Sequence, residues 1–313
     1  MNQTEPPGAE APIRSGPGAL GETRIGPVTF AWGTRTFVMG ILNATPDSFS
    51  GDGLLALRAN GAETGAPTGE SAGTTPPDSP VAKAVRLAQA MADEGADLLD
   101  VGGESTRPGH TPVPVADEIR RVVPIVTSVR HALPSMPLSI DTTKAAVAEA
   151  AIDAGADLVN DVWGVANDDS LVRLAAERRV PIVLMHNRAE ARYTSLMPEI
   201  LDELQRAIDR ALAAGVAWAD VLIDPGFGFG KTVEHNLALL RNLDSLRALG
   251  RPILLGTSRK STLGKVLDLP ADQRVEATLV TTALGIAAGV DIVRVHDVRA
   301  NVRAARTADA VLR

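Results

Sequence analysis

Residues 145–161 read AAVAEAAIDAGADLVND, and this stretch contains the pattern that decides the fold. Its first half places apolar residues at the spacing of one helix face, as residues 201–211 do again. Gly155 then stands where a helix ends in the left-handed conformation, and a short apolar run follows. The same helix–glycine–strand junction recurs at residues 94–97 and 288–291. The chain therefore alternates helices with short strands.

Eight short β-rich runs occur along the chain, and most follow helical sequence. They span Phe37–Asn43, Asp97–Val101, Leu138–Asp141, Asp157–Asp161, Pro181–His186, Val221–Asp224, Pro252–Gly256 and Asp291–His296. Strands that alternate with helices form a parallel sheet, and eight is the number that closes it into a barrel. We therefore predict an α/β fold, a (β/α)8 TIM barrel, with an open doubly wound sheet as the structural alternative.

Two segments have compositions that cannot bury a core. Residues 1–22 and 58–80 are rich in Gly, Ala, Pro and polar residues without an apolar period. We predict a flexible N-terminal tail over 1–22 and a disordered insertion over 58–80, after the first strand, in a single barrel domain spanning 23–313. Residues 24–36 alternate and contain a Gly-Pro pair, which predicts an N-terminal β-hairpin that covers the floor of the barrel.

The composition limits the partners and the compartment. The content is 45% hydrophobic but only 3% aromatic, which favours a core of aliphatic strands and helices. A net charge of −7 argues against general binding to nucleic acid or to an anionic membrane, so any anion site must be local. The absence of cysteine excludes disulfides and thiolate metal sites. We expect a cytoplasmic protein with neither a secretory signal nor a membrane span.

Polar residues lie at or just after the ends of the predicted strands. They are Asn43, Asp100, Asp141, Asn160, His186, Asp224, Ser258 with Lys260, and Arg294 with His296. One such aspartate means little, because Asp also caps helices, and Asp141 before two threonines could do only that. In a closed barrel, however, all eight strand ends converge on the face where active sites of this fold lie. The set therefore predicts a functional site.

The candidate residues divide into two chemical groups. Acceptors and donors suited to a flat heterocycle with an amino-pyrimidinone edge come from Asp141, Asn160, Asp224 and Lys260. Donors and positive charge suited to a phosphate or pyrophosphate come from Asn43, Thr106, Arg107, Arg294 and His296. The alternative for the two arginines is a salt bridge with a neighbouring aspartate.

Two other interpretations of the motifs are weaker. Residues 226–232, GFGFGKT, resemble a phosphate-binding loop, but Pro225 stands where that loop needs glycine, and the spacing also misses the dinucleotide fingerprint. These glycines more plausibly let backbone approach a ligand. Lys260 could form a Schiff base, yet it lies just beyond the seventh strand of the predicted barrel rather than on it.

Together the motifs resemble those of the dihydropteroate synthases, a family of pterin-binding barrels. The matching segments are Gly40–Ser50, Asp100–Gly109, Ile140–Thr142, Asn160–Asp161, Leu184–His186, Asp224–Lys231, Ser258–Ser261 and Arg294–Val298. The family joins p-aminobenzoate to 6-hydroxymethyl-7,8-dihydropterin pyrophosphate and releases pyrophosphate. The resemblance also implies a homodimer and these two small-molecule substrates.

The resemblance assigns a role to each candidate. It implies a pterin site of Asp141, Asn160, Asp224 and Lys260, with Met185 and Arg294 on the ring faces. It implies that Asn43 helps to bind Mg²⁺ carried by the pyrophosphate, and that Arg107, Arg294 and His296 bind phosphate oxygens. It implies a p-aminobenzoate pocket of Thr106, Phe229 and Ser261. Arg294, His296 and Lys260 would be the catalytic residues, and none would act as a nucleophile.

The chain departs from the family pattern in two loops. Gly51-Asp52-Gly53 precedes the insertion where the family usually has Asp-Gly-Gly, and Asn187-Arg188 stand where Met-Gln-Gly often follows the fifth barrel strand.

Two rival functions are weighed against the resemblance. They are methyl transfer from methyltetrahydrofolate to a corrinoid protein, which would not need the Ser-Arg-Lys and Arg-Val-His motifs, and a non-catalytic pterin-binding role.

Overall fold

A computed structural model of the chain describes residues 20–44, 79–104, 112–164 and 168–313. Strands β1 (Glu22–Ile25) and β2 (Val28–Ala31) form an antiparallel hairpin. The parallel strands are β3 (Phe37–Asn43), β4 (Leu98–Gly102), β5 (Leu138–Asp141), β6 (Leu158–Asp161), β7 (Ile182–Met185), β8 (Val221–Asp224), β9 (Leu254–Leu255) and β10 (Ile292–Val295). The helices of the described ranges are α1 (Pro80–Asp93), α2 (Val115–Ala132), α3 (Ala145–Asp153), α4 (Ser170–Arg178), α5 (Leu196–Ala213), α6 (Val233–Arg241), α7 (Ser261–Leu267), α8 (Val275–Ala287) and α9 (Val298–Leu312).

The eight parallel strands close on themselves. Their order in the sheet is β8-β7-β6-β5-β4-β3-β10-β9, and a parallel bridge between Ile223 and Ile253 joins the two ends. The Ile223 amide donates to the Pro252 carbonyl at 3.0 Å across this seam. The predicted barrel is therefore confirmed, and the open doubly wound sheet is excluded. The eight predicted strand positions are all occupied, although β9 is shorter than the sequence suggests.

The three helix–glycine–strand junctions share one structure. Each glycine has a positive φ, of +98° at Gly95, +114° at Gly155 and +96° at Gly289, as the sequence predicts. The aspartate two residues later accepts a hydrogen bond from a backbone N–H at the start of a neighbouring strand. The pairs are Asp97 with Val38, Asp157 with Leu138 and Asp291 with Ile253, at 2.8–2.9 Å. These aspartates thus supply backbone N–H groups with acceptors at the floor end of the barrel.

The hairpin closes the floor of the barrel, as predicted. Phe30 lies between Trp32 and Phe37, with ring centroids 5.6 and 4.7 Å away, and all three rings are buried. The Trp32 indole N–H donates to the Thr23 hydroxyl at 2.8 Å, so its polar atom is paired. Inward-facing strand residues complete this cluster: Met39, Leu98, Leu158, Val183, Leu222, Leu254 and Ile292. Each buried large side chain contributes about 1.5–3 kcal/mol.

The outward-facing strand residues pack against the helices and form a second, larger core. Strands buried on both faces need apolar residues at successive positions, which is why these segments read as continuous aliphatic runs rather than as an alternation. No helix of the described residues is both long and apolar enough to cross a membrane.

The predicted segment boundaries need two corrections. Leu20 packs against the floor cluster and β1 begins at Glu22, so the predicted tail can concern only residues 1–19, which lie outside the described residues. Ser79 caps helix α1 by accepting from the Ala82 amide at 3.1 Å, and Pro80 is the first helical residue. The predicted insertion therefore ends before 79, and its residues 58–78 also lie outside the described residues.

Candidate active site

The carboxyl ends of the parallel strands carry most of the predicted site residues to one face of the barrel. Asn43, Asp141, Asn160, Met185 and Asp224 each end or nearly end a strand. Phe229, Lys260 and Ser261 follow β8 and β9, whereas Arg294 lies within β10 and His296 just after it. Thr106 and Arg107 lie outside the described residues, so their roles stay predictions.

Arg294 occupies the centre of the barrel mouth. Its Nε donates to Asp100 Oδ2 and its Nη2 to Asp141 Oδ2, both at 2.6 Å. The salt bridge that was the alternative for this arginine is therefore present, and it lies inside the site. Asn160 Nδ2 also donates to Asp100 Oδ2, at 3.0 Å. Asp100 is a site residue to which the sequence assigned no role, although its position at a strand end was visible.

The two carboxylates bound by Arg294 each keep one buried oxygen without a partner. Oδ1 of Asp100 and Oδ1 of Asp141 have no hydrogen-bond donor among the described residues. Burial raises the pKa of Asp141 to about 7, opposed by the Arg294 charge and reinforced by the charges of Asp100 and Glu118. Such acceptors are costly to bury unless a donor reaches them.

An ion-pair cluster supports the Asp141 strand end from behind. Glu118 of α2 is fully buried and accepts from the Thr142 hydroxyl at 2.8 Å and from Lys144 Nζ at 2.5 Å. Lys144 also binds Glu104, the last described residue before 105–111. The strand end, helix α2 and the chain leaving β4 are thus fixed to one another.

Asp224 and Lys260 form the opposite side of the mouth. Burial raises the pKa of Asp224, against the attraction of Lys260 and a hydrogen bond from the Gly226 amide at 2.7 Å. Burial also lowers the pKa of Lys260 to about 7, although the Asp224 charge opposes this. Lys260 Nζ donates to the Phe227 carbonyl and lies 4.1 Å from the centre of the Phe229 ring.

His296 binds the segment that leads from β9 to Lys260. Its Nδ1 is 3.0 Å from the Ser258 hydroxyl oxygen, which also accepts from the His296 amide at 3.1 Å. Arg259, between Ser258 and Lys260, has a left-handed φ of +58° and is held by its ion pair with Asp297. The segments after β9 and β10 are therefore bound together.

Comparisons with known proteins match this geometry. A family model described as pterin binding enzyme matches residues 68–296. Dihydropteroate synthase of Clostridium beijerinckii is 46% identical, with 93% of this chain and 99% of the relative covered. That of Bacillus subtilis is 44% identical over 91% of this chain and 92% of the relative. This chain belongs to the dihydropteroate synthase family. It is a transferase, as the sequence motifs indicated.

Solved structures of dihydropteroate synthases share the fold. The Clostridium difficile enzyme, crystallised with pteroic acid, superimposes with a TM-score of 0.80 at 44% identity, covering 91% of this chain and 99% of that one. The Thermus thermophilus enzyme, in complex with 6HMPPP, has a TM-score of 0.72 at 39% identity, with 88% and 94% covered. Both cover nearly the whole barrel.

The glycine-rich turn after β8 packs closely against neighbouring protein groups. Gly226, Gly228 and Gly230 all have positive φ. A Cβ at Gly226 would lie 1.8 Å from the His186 carbonyl oxygen, and one at Gly228 would lie 2.6 Å from Lys260 Cδ. These glycines therefore admit neighbouring protein groups, and that they let backbone approach a ligand stays a prediction.

Lys231, which ends this dihydropteroate synthase motif, was missed as a structural element of the site. Its Nζ donates to the carbonyls of Gly226 and Phe229, both at 3.1 Å, and is 2.9 Å from His186 Nδ1. Burial lowers the pKa of Lys231 to about 7 and that of His186 to about 3, so the imidazole is neutral. His186 lies directly after β7, as predicted, and its imidazole supports the turn through Lys231.

The loop after β7, where the chain departs from the family pattern, is held in place by several contacts. Asn187 Nδ2 donates to the Val162 carbonyl at 3.1 Å. Arg188 binds Glu199 and Glu203, and its guanidinium lies 4.3 Å from the centre of the Tyr193 ring. Asn187 and Arg188 therefore anchor this loop to the segment after β6 and to α5.

Proposed function

We propose that this chain condenses p-aminobenzoate with 6-hydroxymethyl-7,8-dihydropterin pyrophosphate, giving 7,8-dihydropteroate and pyrophosphate. Family membership supports the proposed reaction, and one structural observation supports the proposed site. The buried, unpartnered Oδ1 atoms of Asp100 and Asp141 support a ligand that brings N–H donors into the barrel mouth. The amino-pyrimidinone edge of a pterin has such donors.

The pterin would lie deep between the strand ends. Asp100, Asp141 and Asp224 would accept from the ring N–H and amino groups, while Asn160 and Lys260 complete the set. Met185 is buried at the end of β7 opposite Asp224 and would pack on one ring face. We assign the other face to Arg294. The raised pKa values of Asp141 and Asp224 support this site, because donors from a ligand would stabilise their charged forms.

The C–O bond between the methylene group and the pyrophosphate would break first. The pterin ring can delocalise the resulting cation, so stabilising the leaving oxygens is the main catalytic contribution. Arg294 and His296, with Arg107, would bind those oxygens. The amine of p-aminobenzoate then forms the new C–N bond and loses a proton. Water must be excluded because it would attack the same cation.

Mg²⁺ would arrive with the pyrophosphate. Among the described residues no cluster of three acidic or histidine side chains could hold a metal by itself. One amide oxygen from Asn43, at the end of β3, fits a cation that keeps several waters and takes its other ligands from phosphate. When bound, the ion would neutralise charge on the leaving group.

The p-aminobenzoate would bind outside the pterin, near Phe229, Ser261 and Thr106. Phe229 is half-buried beneath the Lys260 ammonium, and Ser261 begins α7. A Xanthomonas albilineans dihydropteroate synthase has been crystallised with 4-aminobenzoic acid, at 40% identity and a TM-score of 0.77, with 88% of this chain and 93% of that one covered. We propose that sulfonamides, which resemble this substrate, compete for the same position.

We also propose a cytoplasmic homodimer that buries α7 and α8. Val280 and Leu284 on α8 are 58% and 54% exposed, and Val266 and Leu267 on α7 are exposed as well. Apolar groups on neighbouring surface helices are typical of an interface. Sedimentation should give twice the chain mass of 32.7 kDa, and Val280→Asp should give the single mass. A native monomer would contradict the dimer.

The reaction is tested by p-aminobenzoate-dependent release of pyrophosphate from the pterin pyrophosphate. We expect release only when both substrates and Mg²⁺ are present, with dihydropteroate as the second product. Pyrophosphate release that does not need the amine would show hydrolysis instead. Methyl transfer from methyltetrahydrofolate to a corrinoid protein would favour the rival function.

A further inference from the structure

Asn236 is a buried amide on α6 that no part of the proposed mechanism uses. It is 1% exposed, and its side chain makes three hydrogen bonds. Oδ1 accepts from the Gly228 amide at 2.7 Å, and Nδ2 donates to the Thr232 carbonyl at 2.8 Å and to the Thr262 hydroxyl at 3.0 Å. Both of its side-chain N–H groups and one lone pair of its oxygen are thus used inside the protein.

The groups that Asn236 joins lie beside the two sides of the proposed p-aminobenzoate pocket. Gly228 precedes Phe229 in the turn after β8, and Thr262 follows Ser261 at the start of α7. A single planar amide therefore connects these two sides. Thr232 caps α6 and accepts from the His235 amide at 3.2 Å, which fixes the helix end that carries Asn236.

Lys260 is the other side chain that links this turn to the start of α7 among the described contacts. It reaches the Phe227 carbonyl and lies over the Phe229 ring. In the proposed function, however, Lys260 also binds the pterin, so its contacts are shared between the turn and the ligand. Asn236 touches neither proposed substrate site directly, so its link remains when the ligand is bound.

Stability alone does not account for this residue. Asn is a poor helix former, and burying an amide contributes little net free energy even when it is fully bonded. An aliphatic side chain would pack against the same elements but would leave the Gly228 amide and the Thr262 hydroxyl without this partner. A buried amide does fix one spacing between its partners, because any other spacing leaves polar atoms without a bond.

We propose that Asn236 is a positioning residue that sets the spacing between Phe229 and Ser261, and so determines p-aminobenzoate affinity and selectivity. The inference rests on the proposed function. The protein carboxylates that would bind the pterin lie on strand ends that do not depend on this amide. Pterin binding should therefore be nearly independent of Asn236.

The test compares Asn236→Ala with Asn242→Ala. Asn242 lies just after α6 and is exposed, and its side chain donates to the Ala238 carbonyl of the same helix. Asn236→Ala should raise KM for p-aminobenzoate about tenfold or more and change the pterin pyrophosphate Kd by less than about twofold. Asn242→Ala should match the native enzyme in both constants.

A selectivity measurement separates positioning from loss of structure. The analogue 4-amino-3-methylbenzoate is one methyl group wider than p-aminobenzoate. If Asn236 sets the spacing, Asn236→Ala should lower the preference for p-aminobenzoate over this analogue. A merely destabilised enzyme would lose activity towards both in proportion, and that result would overturn the proposal.

Thr262 keeps the proposal testable if Asn236→Ala does not fold. Thr262→Val removes only the bond to α7, and Thr262→Ser keeps the hydroxyl. We expect a several-fold rise in p-aminobenzoate KM for the valine variant and recovery for the serine variant. Equal constants for both variants would refute the link. Failure of the native enzyme to consume p-aminobenzoate would instead refute the proposed function.

Discussion

The floor of the barrel is closed by a cluster of buried aromatic and aliphatic side chains, whereas the mouth of the same barrel brings several charged side chains together. At the floor, Phe30 and Phe37 are in contact and the Trp32 N–H binds Thr23. At the mouth, Asp141 and Lys260 both have pKa values shifted to about 7 by burial. The same strands therefore end in a stabilising core on one side and in costly desolvated charges on the other.

This difference separates stability from activity. Burying charge without full compensation destabilises a fold, and such groups persist where a ligand completes their bonding. The comparison therefore predicts that mouth substitutions change kinetics more than stability, and that floor substitutions do the reverse.

Asp224→Asn should give the largest effect on activity. An amide presents a donor of its own to a ring donor, so kcat/KM should fall about 10³-fold or more while the melting temperature stays near that of the native enzyme. Pyrophosphate release and thermal unfolding measure the two quantities. Asp220→Asn, on the floor side of β8, is the matched control and should remain active. Near-native turnover of Asp224→Asn would remove the carboxylate from the pterin site.

Phe30→Ala should have the opposite outcome. The lost ring leaves a cavity in the floor cluster, which should lower the free energy of unfolding by about 3–5 kcal/mol. Denaturant unfolding measures this loss, and kinetics below the transition should be native. Val28→Ala, half-buried on the same hairpin, should cost less. A changed p-aminobenzoate KM in Phe30→Ala would show that the two ends are coupled.

Arg294→Lys, a substitution at the mouth, should reduce kcat/KM about 100-fold. An ammonium cannot bind Asp100 and Asp141 as the guanidinium does and also present a planar, forked group to phosphate. Steady-state kinetics with both substrates test this. Arg299 is exposed and pairs with Glu94, so Arg299→Lys should behave as the native enzyme. Unchanged constants for Arg294→Lys would exclude this arginine from the site.

Lys260 should give the mouth a pH-dependent contribution to stability. Its pKa falls from 10.5 to about 7 on folding, so its contribution to stability is complete above about pH 10.5 and is lost as the pH falls towards 7. The free energy of unfolding of Lys260→Met, relative to that of the native protein, should therefore rise as the pH falls from 10 to about 7 and stay constant below about pH 7. Denaturant unfolding from pH 6 to 10 measures this difference.

Lys265→Met is the control for this titration, because Lys265 is exposed on α7. Its unfolding should be measured at the same pH values. A pH-independent difference for Lys260→Met would show that burial does not shift the pKa of this lysine.

The site was predictable where a strand end placed a polar residue in a known motif. Asp141, Asn160 and Asp224 were assigned this way, and the structure brings them to one face. Asp100 was visible at its strand end but had no role, because its contact with Arg294 joins residues 194 positions apart. Lys231 and Asn236 act through backbone groups of a turn whose path depends on His186 and α7. No local pattern reports such contacts.

The sequence by itself determined the alternation of helices and strands, the number of strands and the face on which their polar ends meet. Helical and strand periods, and glycines such as Gly155 at helix ends, are local, so neighbouring residues suffice to define them. Only the tertiary structure decided which buried charges are paired, which keep an unpartnered oxygen and how far their pKa values shift. Those properties depend on desolvation and on distances across the closed barrel, which no local stretch of the chain contains.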